Sequence, residues 1–160
     1  MLIALMLLFT YYLIFIYYSA SALASGVIAF SAYATEEIEY KSAEIIAFPS
    51  VLSNIGSAYD ESNSRFTCPT NGLYMFTTSA FTNHDVRAEL VLTKNGDAPI
   101  ATAFSEDNSD AMSTLTVFVE CNEEEYVEVI CGPSNNVCKC NADEYLATVT
   151  FSGMLVGMII

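Results

Sequence analysis

The sequence predicts an all-β fold, an antiparallel sandwich or jelly roll, and three observations carry that reading. After residue 26 almost no stretch has helical periodicity. In its place stand about nine short runs, roughly four to eight residues each, of β-favouring residues. Clusters of Gly, Pro, Asn and Asp separate these runs at regular spacing, the pattern of strands joined by tight turns.

In chain order, Val27 to Tyr33 (VIAFSAY) is the first strand. Arg65-Phe66-Thr67-Cys68 leads through Pro69-Thr70-Asn71-Gly72 into Leu73 to Thr78 (LYMFTT). Val86 to Thr93 alternates and ends at Lys94-Asn95-Gly96-Asp97, where Asn-Gly supplies the two positive-φ residues of a type I′ hairpin. Ala98 to Phe104 returns, and Pro99, lacking an N–H for the ladder, places that run at a sheet edge. Met112 to Glu120 and Tyr126 to Cys131 flank Asn122-Glu123-Glu124-Glu125, a second hairpin with an acidic, solvated tip. Leu146 to Ile160 is the last apolar stretch, interrupted by Ser152-Gly153 and Gly157. The acidic run Glu36-Glu37-Ile38-Glu39 reads as loop, like Glu123–Glu125. No internal repeat and no Gly-X-Y run is present, so no collagen stalk is expected in these residues.

The 160 residues suit one domain. Apart from Thr10, Ser19 and Ser21, every residue from Met1 to Ala24 is hydrophobic, and none is charged. The apolar run Leu2–Tyr18 ends in small residues, and Ala22-Leu23-Ala24 is a small-x-small triplet of the kind signal peptidase accepts. The expectation is a signal peptide over 1–24, cleaved after Ala24, and a secreted, extracellular domain over 25–160 with no stable membrane insertion. The leader has no Lys or Arg, and because no charged side chain appears until Glu36, a retained signal-anchor is the alternative.

Five Lys and Arg against 19 Asp and Glu give a formal charge of −14, which argues against binding a phosphate backbone and hence against nucleic acid. His84, in Thr82-Asn83-His84-Asp85, is the single histidine and reads as a surface-loop residue. One histidine excludes multi-histidine metal sites of the cupin type, and no Gly-x-Ser-x-Gly elbow is present. The chain is therefore read as a non-enzyme with no required cofactor.

Five cysteines, at 68, 121, 131, 138 and 140, all follow the leader. Secretion permits disulfides, and the odd count leaves one thiol free or intermolecular. Cys131 with Cys138 or Cys140 would close the turn-like Gly132–Val137 loop. Zinc sites prefer shorter spacers than the six residues between Cys131 and Cys138, so the metal reading of this group is weak. No N-x-[ST] sequon occurs.

From Phe48 onward a specific spacing appears: Phe48, Asn54, Tyr59, Phe66, Gly72, Tyr74 and Phe76. Tyr74 and Phe76 share one face of a strand, where aromatics can fill the space between two sheets. Gly72 after Asn71 suits either a tight turn or a close backbone approach. The spacing closely resembles the signature of C1q globular-head domains: Phe, five residues, Asn/Asp, four, an aromatic, six, Phe, five, Gly-x-Tyr-x-Phe. Its last aromatic is replaced here by Thr78. Ala29-Phe30-Ser31-Ala32 and Phe151-Ser152-Gly153-Met154-Leu155 resemble the family's first and last strands, so the resemblance spans roughly 27–160.

The resemblance implies a ten-stranded jelly roll shared with the tumour necrosis factor superfamily, a homotrimer, and a binding module of short secreted form. Pattern recognition in innate immunity, of microbial or cell-surface protein or carbohydrate, is the function it implies. An extracellular signalling ligand for one cell receptor is the alternative. Several family members bind calcium near the trimer axis through acidic residues before a central strand. The matching stretch is Phe104 to Ser113, with Asp110 at the second calcium position and Asp107 or Glu106 at the first. Hard carboxylate oxygens suit Ca²⁺; a solvated acidic loop with no ion is the alternative. Long-range repulsion from the acidic surface further implies that an anionic ligand would need calcium as a bridge.

Overall fold

The structure, a computed structural model, describes residues 26–36, 38–82, 88–97, 99–105, 111–133, 137–140 and 148–159. The leader, His84 and the acidic loop with Glu106, Asp107 and Asp110 lie outside the described residues.

Every element among the described residues is a strand: β1 (Ala29–Tyr33), β2 (Ile38–Lys41), β3 (Ser50–Ile55), β4 (Tyr59–Asp60), β5 (Arg65–Thr67) and β6 (Gly72–Thr82), then β7 (Ala88–Lys94), β8 (Pro99–Ser105), β9 (Ala111–Cys121), β10 (Tyr126–Cys131), β11 (Val137–Cys140) and β12 (Thr150–Met158). Two five-stranded antiparallel sheets form the sandwich, in the orders β3-β1-β12-β6-β9 and β4-β5-β10-β7-β8. Ten strands in two layers, with first and last strands adjacent, make a jelly roll. β2 and β11 form a separate two-stranded pair.

That pair corrects the reading of the Glu36–Glu39 run as loop. Glu39 lies within β2, opposite Lys139 in the register. A short polar strand of this kind forms through pairing with a distant segment, and local composition does not announce it.

Strand by strand, local chemistry sets the boundaries. β6 alternates strictly, with Gly72, Tyr74, Phe76, Thr78, Ala80 and Thr82 buried and the residues between them half-exposed. Asn95 (φ 57°) and Gly96 (φ 72°) both take the left-handed conformation, and Asp97 N donates to Lys94 O (3.0 Å), closing the type I′ turn between β7 and β8. β8, carrying Pro99, lies at an edge of the second sheet. On one flank Ser113 Oγ donates to Phe104 O (2.9 Å), joining the edges of the two sheets.

Aromatic rings fill the space between the layers. Phe48, Phe66, Tyr74, Phe76 and Phe151 are completely buried, with Tyr59 and Phe30 nearly so. Phe30 stacks on Tyr59 at 4.6 Å between centroids and on Phe66 at 5.0 Å, and meets Phe151 edge-on at 4.8 Å. Phe66 meets Phe76 edge-on at 5.4 Å, and Phe48 lies 5.6 Å from Phe151.

Candidate interaction surface

Each residue of the Phe48–Phe76 spacing has a structural place. Asn54, at the end of β3, donates from Nδ2 to Tyr59 O (2.8 Å) and accepts from Tyr59 N (3.2 Å), pinning one sheet's edge to the other's. Tyr59 donates its hydroxyl to Phe48 O (2.9 Å), and burial pushes its pKa up to about 12. Tyr74 donates to Thr70 O (2.7 Å), and burial raises its pKa too. Gly72 serves the close approach: a Cβ there would stand 2.6 Å from Leu155 Cδ1 and 2.9 Å from Gly157 O. Gly153 lies between Phe30 and Phe76 in the register, and a Cβ would fall 2.5 Å from Phe76 Cδ1. Thr78, where the spacing departs from an aromatic, is buried and donates its hydroxyl to Thr150 O (2.7 Å). All of these serve packing between the layers.

Among the described residues the cysteines form two bonds. Cys131 is bonded to Cys138, and Cys68 to Cys121. The second was not anticipated, because 53 residues separate the partners. β6 brings them together: Gly72, four residues after Cys68, stands opposite Cys121 in the β6–β9 register.

The outer face of the first sheet has a pattern that reads only across strands. One row, Ile55-Ala29-Met154-Met75-Phe118, crosses all five strands and is wholly apolar. The next row, Ser53-Ser31-Ser152-Thr77-Thr116, is wholly hydroxyl-bearing. The third, Ser50-Tyr33-Thr150-Ser79-Thr114, is hydroxyl-bearing again, and Phe81-Met112 restores apolar side chains beyond it. No residue in these rows is charged, although the chain carries 19 carboxylates.

Its apolar side chains stand in solvent: Phe118 and Met112 are each 59% exposed, Ile55 53% and Met154 40%. Six of the ten hydroxyls in these rows bond within the sheet. Ser31 Oγ and Ser152 Oγ are 2.9 Å apart, and Ser79 Oγ and Thr150 Oγ1 2.7 Å. Thr116 donates to Thr77 Oγ1 (3.1 Å), which itself donates to Leu115 O (2.9 Å). A hydroxyl already bonded to its neighbour costs little to bury, so these six can be covered at small cost. A contiguous apolar band of this kind marks an interaction surface.

Elsewhere the surface carries ion pairs. Arg65 pairs with the buried Glu128 (2.6 Å) and lies over the Tyr126 ring at 4.4 Å. Lys94 pairs with Glu125 (3.0 Å), whose carboxylate is held below its ordinary pKa, first by the Asn122 N–H and then by Lys94. Among the described residues no group of three or more His, Cys, Asp and Glu is placed to hold a metal ion. Nor, among them, is any helix long and apolar enough to cross a membrane.

Such a jelly roll, two five-stranded sheets with aromatic filling between them, defines a class of all-β globular modules. A family model described as C1q domain matches residues 29–156, and the chain belongs to that family. It is 26% identical over 113 residues to one of the subunits of the complement C1q subcomponent of Mus musculus; the match covers 69% of this chain and 45% of that relative's length. The globular domain of a zebrafish complement 1qA protein superposes with a TM-score of 0.68 at 15% identity, covering 83% of this chain and 99% of that one. An Eiger TNF from S. frugiperda gives 0.67 at 7% identity, covering 84% and 96%. Murine APRIL gives 0.62 at 8% identity, covering 82% and 100%. The structural likenesses establish the fold, a C1q-type globular module.

Proposed function

We propose that this protein is a secreted, homotrimeric recognition module of innate immunity, a binding protein with no catalytic role, that captures microbial or cell-surface ligands. The carrying observation is the set of uncharged rows across the outer face of the β3-β1-β12-β6-β9 sheet. A protomer with a formal charge of −14 repels its copies wherever carboxylates oppose one another, and none stands in the apolar and hydroxyl rows of this face; Glu120, two residues beyond Phe118 on β9, lies at their margin. Three copies meeting there bury the apolar rows. Processing after Ala24 and extracellular disulfides belong to the same reading.

Charge also limits the ligands. An acidic module favours neutral sugars or basic protein patches, and reaches anionic surfaces through a bridging cation. Glu106, Asp107 and Asp110 fill most of the short connection between Ser105 of β8 and Ala111 of β9, and their oxygens suit Ca²⁺. Millimolar calcium is expected to raise the melting temperature of the wild type and not of an Asp107→Ala/Asp110→Ala variant. Wild-type melting indifferent to both calcium and EDTA would remove calcium from the account. Binding to a panel of bacterial surfaces tests the recognition role. Saturable binding to one animal-cell receptor, with no bacterial binding, would make the protein a signalling ligand.

A further inference from the structure

The methionines of the domain are unevenly placed. Four follow the leader, and three of them, Met75, Met112 and Met154, project from the outer face of the first sheet. Met154 stands directly opposite Met75, Met75 opposite Phe118, and Met112 opposite Phe81. Thioethers next to aromatic rings suit an adaptable apolar contact, and the same sulfurs are the oxidisable atoms of such a contact.

We propose that Met75, Met112 and Met154 form an oxidative modification site that controls assembly; this rests on the reading that the face joins three copies. A peroxide or another two-electron oxygen donor is the reagent class. A sulfur lone pair attacks the peroxide, one S–O bond forms and the O–O bond breaks. Sulfur is oxidised by two electrons, the peroxide is reduced, and water leaves. Reaction occurs in the free protomer, where Met112 and Met154 are exposed. The sulfoxide is a strong acceptor in a band whose neighbours, Ile55, Ala29 and Phe118, offer no side-chain donor. Several adjacent hydroxyls, Ser31 with Ser152, Ser79 with Thr150 and Thr77 with Thr116, are already engaged with one another. Each sulfoxide buried without a donor is expected to weaken association on the order of tenfold. Assembled protein is shielded, so oxidation slows as concentration rises.

The test treats the secreted protein with hydrogen peroxide and follows oxygen addition by mass spectrometry and oligomeric mass by light scattering. Expected is a fall from trimer to protomer as the three methionines gain oxygen, reversed by methionine sulfoxide reductases. A Met75→Leu/Met112→Leu/Met154→Leu variant should stay trimeric in peroxide. A wild-type trimer fully oxidised at all three positions yet unchanged in mass would overturn the proposal alone. So would a leucine variant that dissociates equally. Untreated protein that is a protomer at every concentration would instead remove the trimer reading itself.

Discussion

Gly153 shows how one missing side chain sets the core. Phe30 and Phe76 flank it across two registers, and their rings occupy the volume a Cβ would need. Gly153→Ala is therefore expected to destabilise the domain by about 1–3 kcal/mol, read as a lower urea midpoint with an unchanged slope. Tyr59 adds a pH dependence. Burial raises its pKa from 10.0 to about 12, so the fold favours the neutral phenol. That contribution is complete below pH 10 and is lost as pH rises towards 12, with about 2–3 kcal/mol at stake. Equilibrium unfolding between those limits should show the decline, and Tyr59→Phe should flatten it. These aromatic positions were legible in the sequence because their spacing reflects a strand and a two-layer core. Gly72 was legible only as a pair of options, since a turn glycine and a close-approach glycine look alike until Leu155 and Gly157 are seen against it.

Among the elements, strands with strong alternation or an Asn-Gly turn were readable, and those that depend on distant partners were not. β3 and β4 lack alternation: Ser50–Ile55 has a register shift where it meets β1, and Tyr59–Asp60 is only two residues long. The pairing of β2 with β11 is likewise long-range. The same blindness hid the bond between Cys68 and Cys121, while the short loop from Cys131 to Cys138 suggested itself through its turn composition. The two bonds should differ in weight. Restricting the longer loop is worth about 4 kcal/mol and the shorter about 2–3 kcal/mol in the chain-entropy description. Cys68→Ser/Cys121→Ser is accordingly expected to lower the melting temperature more than Cys131→Ser/Cys138→Ser. The reverse order would mean that the β2–β11 pair, which Cys138 anchors, carries more of the fold than loop entropy allows.

For the whole molecule, charge segregation is the organising feature. A protomer with a formal charge of −14 keeps the apolar and hydroxyl rows of one broad sheet face free of charge, with Glu120 at their margin, and no single strand discloses that arrangement. It exists only after five strands align their small, hydroxyl-bearing and methionine residues into rows, so the sequence implied an assembly through family resemblance and was silent on the surface. Residual repulsion between acidic copies makes association stronger as salt rises, opposite to the behaviour of an interface built on ion pairs. The most direct measurement is the light-scattering mass of the wild type beside Phe118→Glu, which sets a carboxylate at the exposed end of the apolar row. The account predicts three protomers for the wild type and one for the variant, with circular dichroism showing the same β structure in both. A wild type that stays a single protomer at high concentration and salt, or a variant that keeps the wild-type trimer mass, would contradict it.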